Sequence, residues 1–311
     1  MTLTIQQYHP DLKRVWNDFI DHSINGTFLL HRDFMDYHHD RFKDHSLLVF
    51  NEDALICCIP AHTVEDSIYS HRGLSYGGLI LNKISAQNID LVLELFVEYV
   101  KGHAFAKAEL QPPPLSYKTI NSEIVKSLKN YGFKINRVLH NQYVNLKEEV
   151  NVSPKKSIGY RNGKFDGLSI HKGSDFKSFW DFVLVPQLES RHASKPVHNV
   201  EEIELLHSRF PEQIIQHNAW RDGELLAGIT FFIKDKVVKS QYASSSLKGM
   251  KTDAVGFIYM EAMKEFKEKG FSIMDYGPVN ERDGAINEGL LRFKKQLGCV
   301  EEEWKRWVIE L

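Results

Sequence analysis

The run Arg221-Asp222-Gly223-Glu224-Leu225-Leu226-Ala227-Gly228-Ile229-Thr230-Phe231-Phe232-Ile233 decides the fold. A charged turn ending in glycine opens onto a strand that is apolar on both faces. That pattern reads as a hairpin whose second strand is largely buried. The same grammar occurs earlier, where Asn51-Glu52-Asp53 precedes Ala54-Leu55-Ile56-Cys57-Cys58-Ile59-Pro60. Outward from each hairpin the order repeats. A loop of small residues leads to a helix with apolar side chains at 3.6-residue spacing. The first carries Ile89, Val92, Leu93, Phe96, Val97 and Val100 behind Asn88 and stops at Gly102. The second carries Val255, Ile258, Tyr259, Ala262, Met263 and Phe266 behind Asp253 and stops at Gly270. A polar cap, a stripe and a terminal glycine predict both helices.

Each helix gives way to a short strand, 105–110 or 271–276, that runs into Pro112-Pro113-Pro114 or Gly277-Pro278. A further helix ends at Gly132 or Gly298, and a closing strand follows at 134–146 or 299–311. The spacings match: Asp53 to Gly102 is 49 positions and Asp222 to Gly270 is 48. We read a tandem duplication of one α/β unit, 1–148 and 149–311, with the polar stretch 147–156 between them. Each half also opens with helices. Residues 10–22 place Leu12, Val15, Trp16, Phe19 and Ile20 on one face, and 174–189 carry Phe176, Phe179, Trp180 and Val183. Pro186 is expected to kink or end the latter, and Asn199 with Glu202 forms a capping box for the next.

A length of 311 residues agrees with about two domains. With 42% hydrophobic, 26% charged and 12% aromatic residues, the chain is not disordered, collagen-like or a disulfide scaffold. A net charge of −2 and a pI near 6.7 supply no global positive field for DNA or an anionic membrane. Mean hydropathy is −0.34, and no apolar run approaches the ~18 residues of a spanning helix. The start, Met1-Thr2-Leu3-Thr4-Ile5-Gln6-Gln7, lacks the basic and apolar regions of a secretion signal. Cys57 and Cys58 would point to opposite faces of a strand and cannot readily bridge. A reduced, cytoplasmic compartment is expected.

The order helices, antiparallel strands, central helix, strand, helix and closing strand resembles the GNAT acyltransferase fold. A tandem pair resembles the Fem-type aminoacyltransferases. Three stretches carry the likeness. Asn25-Gly26-Thr27-Phe28-Leu29-Leu30-His31-Arg32-Asp33-Phe34-Met35-Asp36-Tyr37-His38 and Ser70-His71-Arg72-Gly73-Leu74-Ser75-Tyr76-Gly77-Gly78-Leu79 lie in the first half. Near the end, Asn287-Glu288-Gly289-Leu290-Leu291-Arg292-Phe293-Lys294-Lys295-Gln296-Leu297-Gly298 resembles the family's "GL..FK..fG" ending. The resemblance implies an α/β (α+β layered) fold of two GNAT-like units, each with a mixed, largely antiparallel sheet flanked by helices. It also implies an acyltransferase using acyl-CoA or aminoacyl-tRNA. One departure matters. Ordinary GNAT enzymes hold the CoA pyrophosphate with an (Arg/Gln)-x-x-Gly-x-(Gly/Ala) turn at the start of the central helix. Here Ser244-Ser245-Ser246-Leu247-Lys248-Gly249-Met250-Lys251-Thr252-Asp253 lacks it, as Fem-type enzymes typically do.

Acyl transfer to an amine needs a neutral amine, a polarised carbonyl and a grip on the donor's anionic portion. Ser244, Ser245, Lys248, Gly249 and Lys251, before the central helix, are the candidate anion holders, with a solvated loop as the plain alternative. Asp275, at a strand end before Gly277, is the candidate base or amine-orienting carboxylate. Alternation puts Tyr242 and Ser244 on one face and Gln241 on the other. The resemblance places this strand beside the transfer site, which makes Tyr242 a catalytic candidate and Gln241 a substrate contact. Gly73, Gly77 and Gly78 admit close backbone approach beside His71, Arg72 and Tyr76, a substrate-contact loop or a structural turn. Arg191 and His192 match an arginine often seen in Fem-like proteins and would hold an acceptor's carboxylate or phosphate, or form a surface salt bridge. Lys155, Lys156 and Arg161 would meet a donor phosphate or make a soluble linker, and the linker is the favoured reading.

Fifteen histidines occur without a His-Glu-x-x-His or Cys-x-x-Cys pattern, so no metal is expected. His38-His39 reads as surface and Cys299 as a small buried hydrophobe. There is no Walker loop and no G-x-S-x-G elbow. The expected function is N-acyl transfer to an amino group, which the resemblance places on a small or cell-envelope precursor. Acyl-CoA is the expected co-substrate, because a near-neutral chain offers tRNA little grip. Aminoacyl-tRNA is the alternative donor, and a non-catalytic binding module is the other class of answer.

Overall fold

The computed structural model describes residues 2–118 and 120–311, and for His192 the backbone alone. The chain divides into two compact units, residues up to Leu139 with Glu303–Leu311, and His140–Glu302. The division is discontinuous, because the two closing strands change places. The end of the first closing strand pairs within the second unit, and the end of the last strand pairs within the first.

The first unit contains β1 (Leu3–Gln7), α1 (Lys13–His22), α2 (Arg32–Met35), β2 (Lys43–Asp44), β3 (Leu47–Asn51), β4 (Ala54–Ile59), β5 (His62–Val64), β6 (Ser67–Tyr69) and β7 (Ile80–Leu81). It continues with α3 (Lys83–Ala86), α4 (Ile89–Gly102), β8 (Lys107–Leu110), α5 (Ile120–Asn130) and the start of β9 (Lys134–Asn145). The expected hairpin is β3–β4, turning through Glu52 at positive φ. Alternation along β4 does as expected. Cys57 joins the core beneath α4, with Leu47, Val92 and Phe96, while Cys58 joins a second core with Trp16, Ile20 and Leu48. The strands form a sheet β1-β3-β4-β7 and a second run β8-β6-β5-β2. Trp307, from the last strand, is buried in the α4 core.

The second unit holds α6 (Pro154–Arg161), β10 (Ser169–Gly173), α7 (Phe176–Phe179), α8 (Val185–His192), α9 (Val200–Arg209), β11 (Ile214–Arg221), β12 (Glu224–Lys234) and β13 (Val237–Ser245). Then come α10 (Leu247–Thr252), α11 (Ala254–Glu268), β14 (Ile273–Pro278), α12 (Glu288–Gln296) and the start of β15 (Val300–Glu310). The sheet order is β10-β11-β12-β13-β14-β9, antiparallel except for β13–β14. The stripe of α11 packs on one face with Phe231, Val238, Met274 and Val144. Phe179 and Trp180 are buried beside β12 and β13.

Four local expectations need correction. Pro186 neither ends nor breaks its helix. A π turn, Trp180–Leu184, joins α7 to α8 and absorbs the hydrogen bond that proline cannot donate. Asn88 and Asp253 precede their helices without capping them, and Asn88 donates to Ile84 O instead. His38 is buried, with its ring stacked on Tyr37 and Nδ1 on Met35 O. Lys156 belongs to α6 and is buried, not part of a solvated linker. Among the described residues, no helix is long and apolar enough to cross a membrane.

Burial sets a pH dependence. His217 lies between Phe231 and Phe266, and burial brings its pKa down to about 4 against the opposing pull of Glu265. The unfolded chain takes up this proton near pH 6.5 and the folded chain only near 4. Stability is therefore level above about pH 7 and falls as pH drops below 6.5. His217 alone should remove about 2 kcal/mol by pH 5. Urea melts of the wild type and His217→Phe at pH 7.5 and 5 check this; equal acid losses in both would contradict it.

Candidate functional site

Two adjacent strands part company in the second unit. β13 and β14 pair in parallel over residues 237–239 and 273–275 only, although β13 continues to Ser245 and β14 to Pro278. Each strand carries an irregularity just past the last pair. Thr230 faces Tyr242 and Phe231 faces Ser240, which leaves Gln241 as an extra residue. Asp275 faces Tyr143 and Gly277 faces Gln142, which leaves Tyr276 extra. Gly277 then turns through φ 75, a conformation that glycine adopts without strain. Bulges bend a strand and end its pairing. The result is a fork, with Lys239 and Asp275 at its apex.

Asp275 is 1% exposed, and its Oδ1 accepts the Gly277 N–H at 2.7 Å. It projects from the face that carries Tyr143, away from the α11 core that takes Met274 and Tyr276. On the core side Tyr276 stacks on Tyr259 at 4.4 Å, and the Tyr259 hydroxyl meets Ser240 Oγ at 2.7 Å. The Tyr276 hydroxyl and Gln241 Oε1 have no hydrogen-bond partner among the described residues. Burial pushes the Cys299 thiol up, so it stays protonated, as the small-hydrophobe reading expects.

Lys294, which sequence reasoning did not single out, closes the fork's end. It is 5% exposed and donates to Gly277 O at 2.8 Å and Pro278 O at 3.1 Å. An ammonium group carries three donors, so one remains uncommitted. Burial lowers its pKa to about 8 despite the opposing charge of Asp275. A signal existed. Lys294 stands four residues after Leu290 and three before Leu297, where a stripe would carry an apolar side chain.

Tyr242 lies on β13 beyond the bulge. Its hydroxyl meets His198 Nδ1 at 2.5 Å and accepts the His198 N–H at 3.2 Å, and its ring sits edge-on to Trp180. Ser244 and Ser245 follow on the same strand, and Ser245 is buried. Within the expected anion-holding segment the backbone is partly committed. Ser246 N–H donates to Leu226 O and Gly249 N–H to Ser246 Oγ. Gly249 is glycine for packing, since a Cβ there would lie 2.0 Å from Leu226 O. Lys248 is exposed and pairs with Glu224, and Lys251 is exposed. The start of α11 is also taken. Lys156 Nζ bonds both oxygens of Asp253 at 2.6 Å, and that carboxylate lies over Gly256 in the first turn.

Arg191 is exposed and its Nη2 is 2.7 Å from Met250 Sδ, which sets it beside α10; the His192 side chain lies outside the described residues. Asp275, Gln241 and Tyr242 therefore share the fork, Ser244, Ser245, Lys248, Gly249 and Lys251 lie further along β13 and α10, and Arg191 reaches α10 from α8. His71, Arg72 and Tyr76 belong to the first unit. Tyr76 is buried and donates to Thr27 Oγ1. Arg72 lies over the Tyr69 ring at 3.7 Å and holds Glu109 with two bonds. His71 is packed against His38 and His62, and burial brings its pKa to about 2.

No protein-family model and no curated protein sequence matches the chain. Solved structures do. FemX is similar with a TM-score of 0.71 at 12% identity, over 98% of this chain and 97% of that one. L-PGS from Bacillus licheniformis is similar at 0.62 and 12%, over 96% and 91%. A tandem GNAT protein from the clavulanic acid biosynthesis pathway is similar at 0.51 and 11%, over 99% and 98%. The chain has the tandem GNAT fold, of the Fem-like kind.

Proposed function

We propose that the protein transfers an acyl group from an activated ester to an amine at the fork between β13 and β14. The observation that carries this reading is a buried carboxylate and a buried lysine on the same turn past the point where the two strands separate, Asp275 accepting the Gly277 N–H and Lys294 donating to Gly277 O. The amine's lone pair forms the C–N bond, and the bond from the acyl carbon to the donor's oxygen or sulfur breaks. The proton shed by nitrogen passes to Asp275 and then to the leaving group. The third donor of Lys294 serves the oxyanion that develops on the acyl carbonyl.

The stronger donor reading is an aminoacyl-tRNA. Asp253, held by Lys156, puts the chain's own negative charge where the GNAT turn would seat a pyrophosphate. Acyl-CoA is the second reading, favoured by the exposed Lys248 and Lys251 beside Ser244 and by the near-neutral net charge. The acceptor we favour is the amino group of a small or cell-envelope precursor, met in the cytoplasm.

Thermal shift separates the donors, since a ligand that binds the folded state raises the melting temperature. Stabilisation by glycyl-tRNA that fades with salt, and none by acetyl-CoA or longer acyl-CoAs, is the expected result. Stabilisation by a CoA ester alone reverses the choice. Transfer assays against amino sugars and peptidoglycan precursors, read by mass spectrometry, test the reaction itself.

A further inference from the structure

Next to Asp275 lies a polar side chain that the proposed transfer does not yet use. Asn141 is 0% exposed and stands on β9 opposite Pro278. Tyr143, two residues on, is the register partner of Asp275. Side chains two apart on a strand share a face, so Asn141 and Asp275 are diagonal neighbours on one face of adjacent strands. Along β9 the register position of Asp275 and Asn141 are two residues, ~7 Å, apart on that face.

The orientation of this amide is fixed. Asn141 Nδ2 donates to Glu302 Oε1 at 3.2 Å, and a carboxylate accepts only from the NH2 end. The oxygen therefore points elsewhere, and Asn141 Oδ1 has no hydrogen-bond partner among the described residues. Gln142 repeats the arrangement on the other face. Its Nε2 donates to Glu301 Oε2 at 3.0 Å and its Oε1 has no hydrogen-bond partner among the described residues. A buried acceptor without a donor costs free energy that a bound N–H would return.

We infer that Asn141 is a specificity residue that selects a nitrogen over an oxygen nucleophile at this site. The inference rests on the proposed transfer and deepens it. An attacking primary amine carries two hydrogens, one for the Asp275 carboxylate and one for Asn141 Oδ1. A hydroxyl carries a single hydrogen. If that hydrogen goes to Asp275, Asn141 Oδ1 stays unsatisfied, and a site built around a paired polar group rejects such an analogue. The balance of bonds is unchanged: C–N forms, the donor's ester or thioester bond breaks, and one proton leaves through Asp275.

The test uses the full chain with glycyl-tRNA or acetyl-CoA as donor, and glucosamine and glucose as paired acceptors. N- and O-linked products are counted by mass spectrometry. Asn141→Leu should cut the amine-to-hydroxyl ratio by about tenfold, through slower amine transfer with hydroxyl transfer kept or raised. Glu302→Gln keeps Asn141 and releases the lock on its amide. It should lower the ratio in the same direction, and it decides the matter alone should Asn141→Leu fail to fold. An unchanged ratio in a folded variant, with Asp275→Asn still slowed by ~100-fold or more, overturns the role of Asn141 and leaves the transfer reading standing. A wild type that acylates no amine of the wider panel overturns both.

Discussion

Asp275→Asn is expected to slow amine acylation by ~100-fold or more, the size of effect seen when a positioned proton acceptor is removed. The substitution keeps the side chain's shape and can still accept the Gly277 N–H that steadies the turn after β14. It removes only the capacity to take a proton. Melting temperature should therefore change little while turnover collapses. A loss of ~100-fold corresponds to about 2.7 kcal/mol of transition-state stabilisation. Near-wild-type turnover in a folded Asp275→Asn protein would remove Asp275 from the chemistry.

Lys294 should matter as much, with a different signature. Replacing it by methionine removes the ammonium donor left over from Gly277 O and Pro278 O and should cost ~100-fold in turnover, as when an oxyanion donor is lost. Its pH dependence tells the two residues apart. With a pKa near 8, Lys294 is charged below that value and neutral above it. Turnover carried by the ammonium form must then fall as pH rises through about 8. Lys294→Arg retains charge at every working pH, so the surviving activity of that variant should keep no fall near 8. An alkaline limb identical in wild type and Lys294→Arg would assign it to another group.

The repeat was legible because its signals are periodic. The stripe on α11 and the alternation that sends Cys57 and Cys58 to different cores depend on neighbours within one element. The fork was only half legible. Asp275 could be picked out as a carboxylate at a strand end, but the parting of β13 from β14 depends on two bulges, each defined by a partner strand far away in sequence. Lys294 reads as one more surface lysine until Gly277 O and Pro278 O are placed beside it. Lys156 and Asp253 are similar. Ninety-seven residues separate them, and neither local pattern contains the ion pair. The division of the chain was hidden for the same reason, since strand exchange is a matter of partners.

That exchange sets the order in which the molecule can be completed. The first unit's core contains Trp307, and β8 pairs with residues 307–310. Synthesis runs from N- to C-terminus, so the first unit waits with an open sheet edge until residues 303–311 leave the ribosome. The second unit, whose borrowed segment of β9 is translated before the rest of it, has every strand in hand earlier. The first unit is thus begun before the second and completed after it, and residues 303–311 act as its clasp.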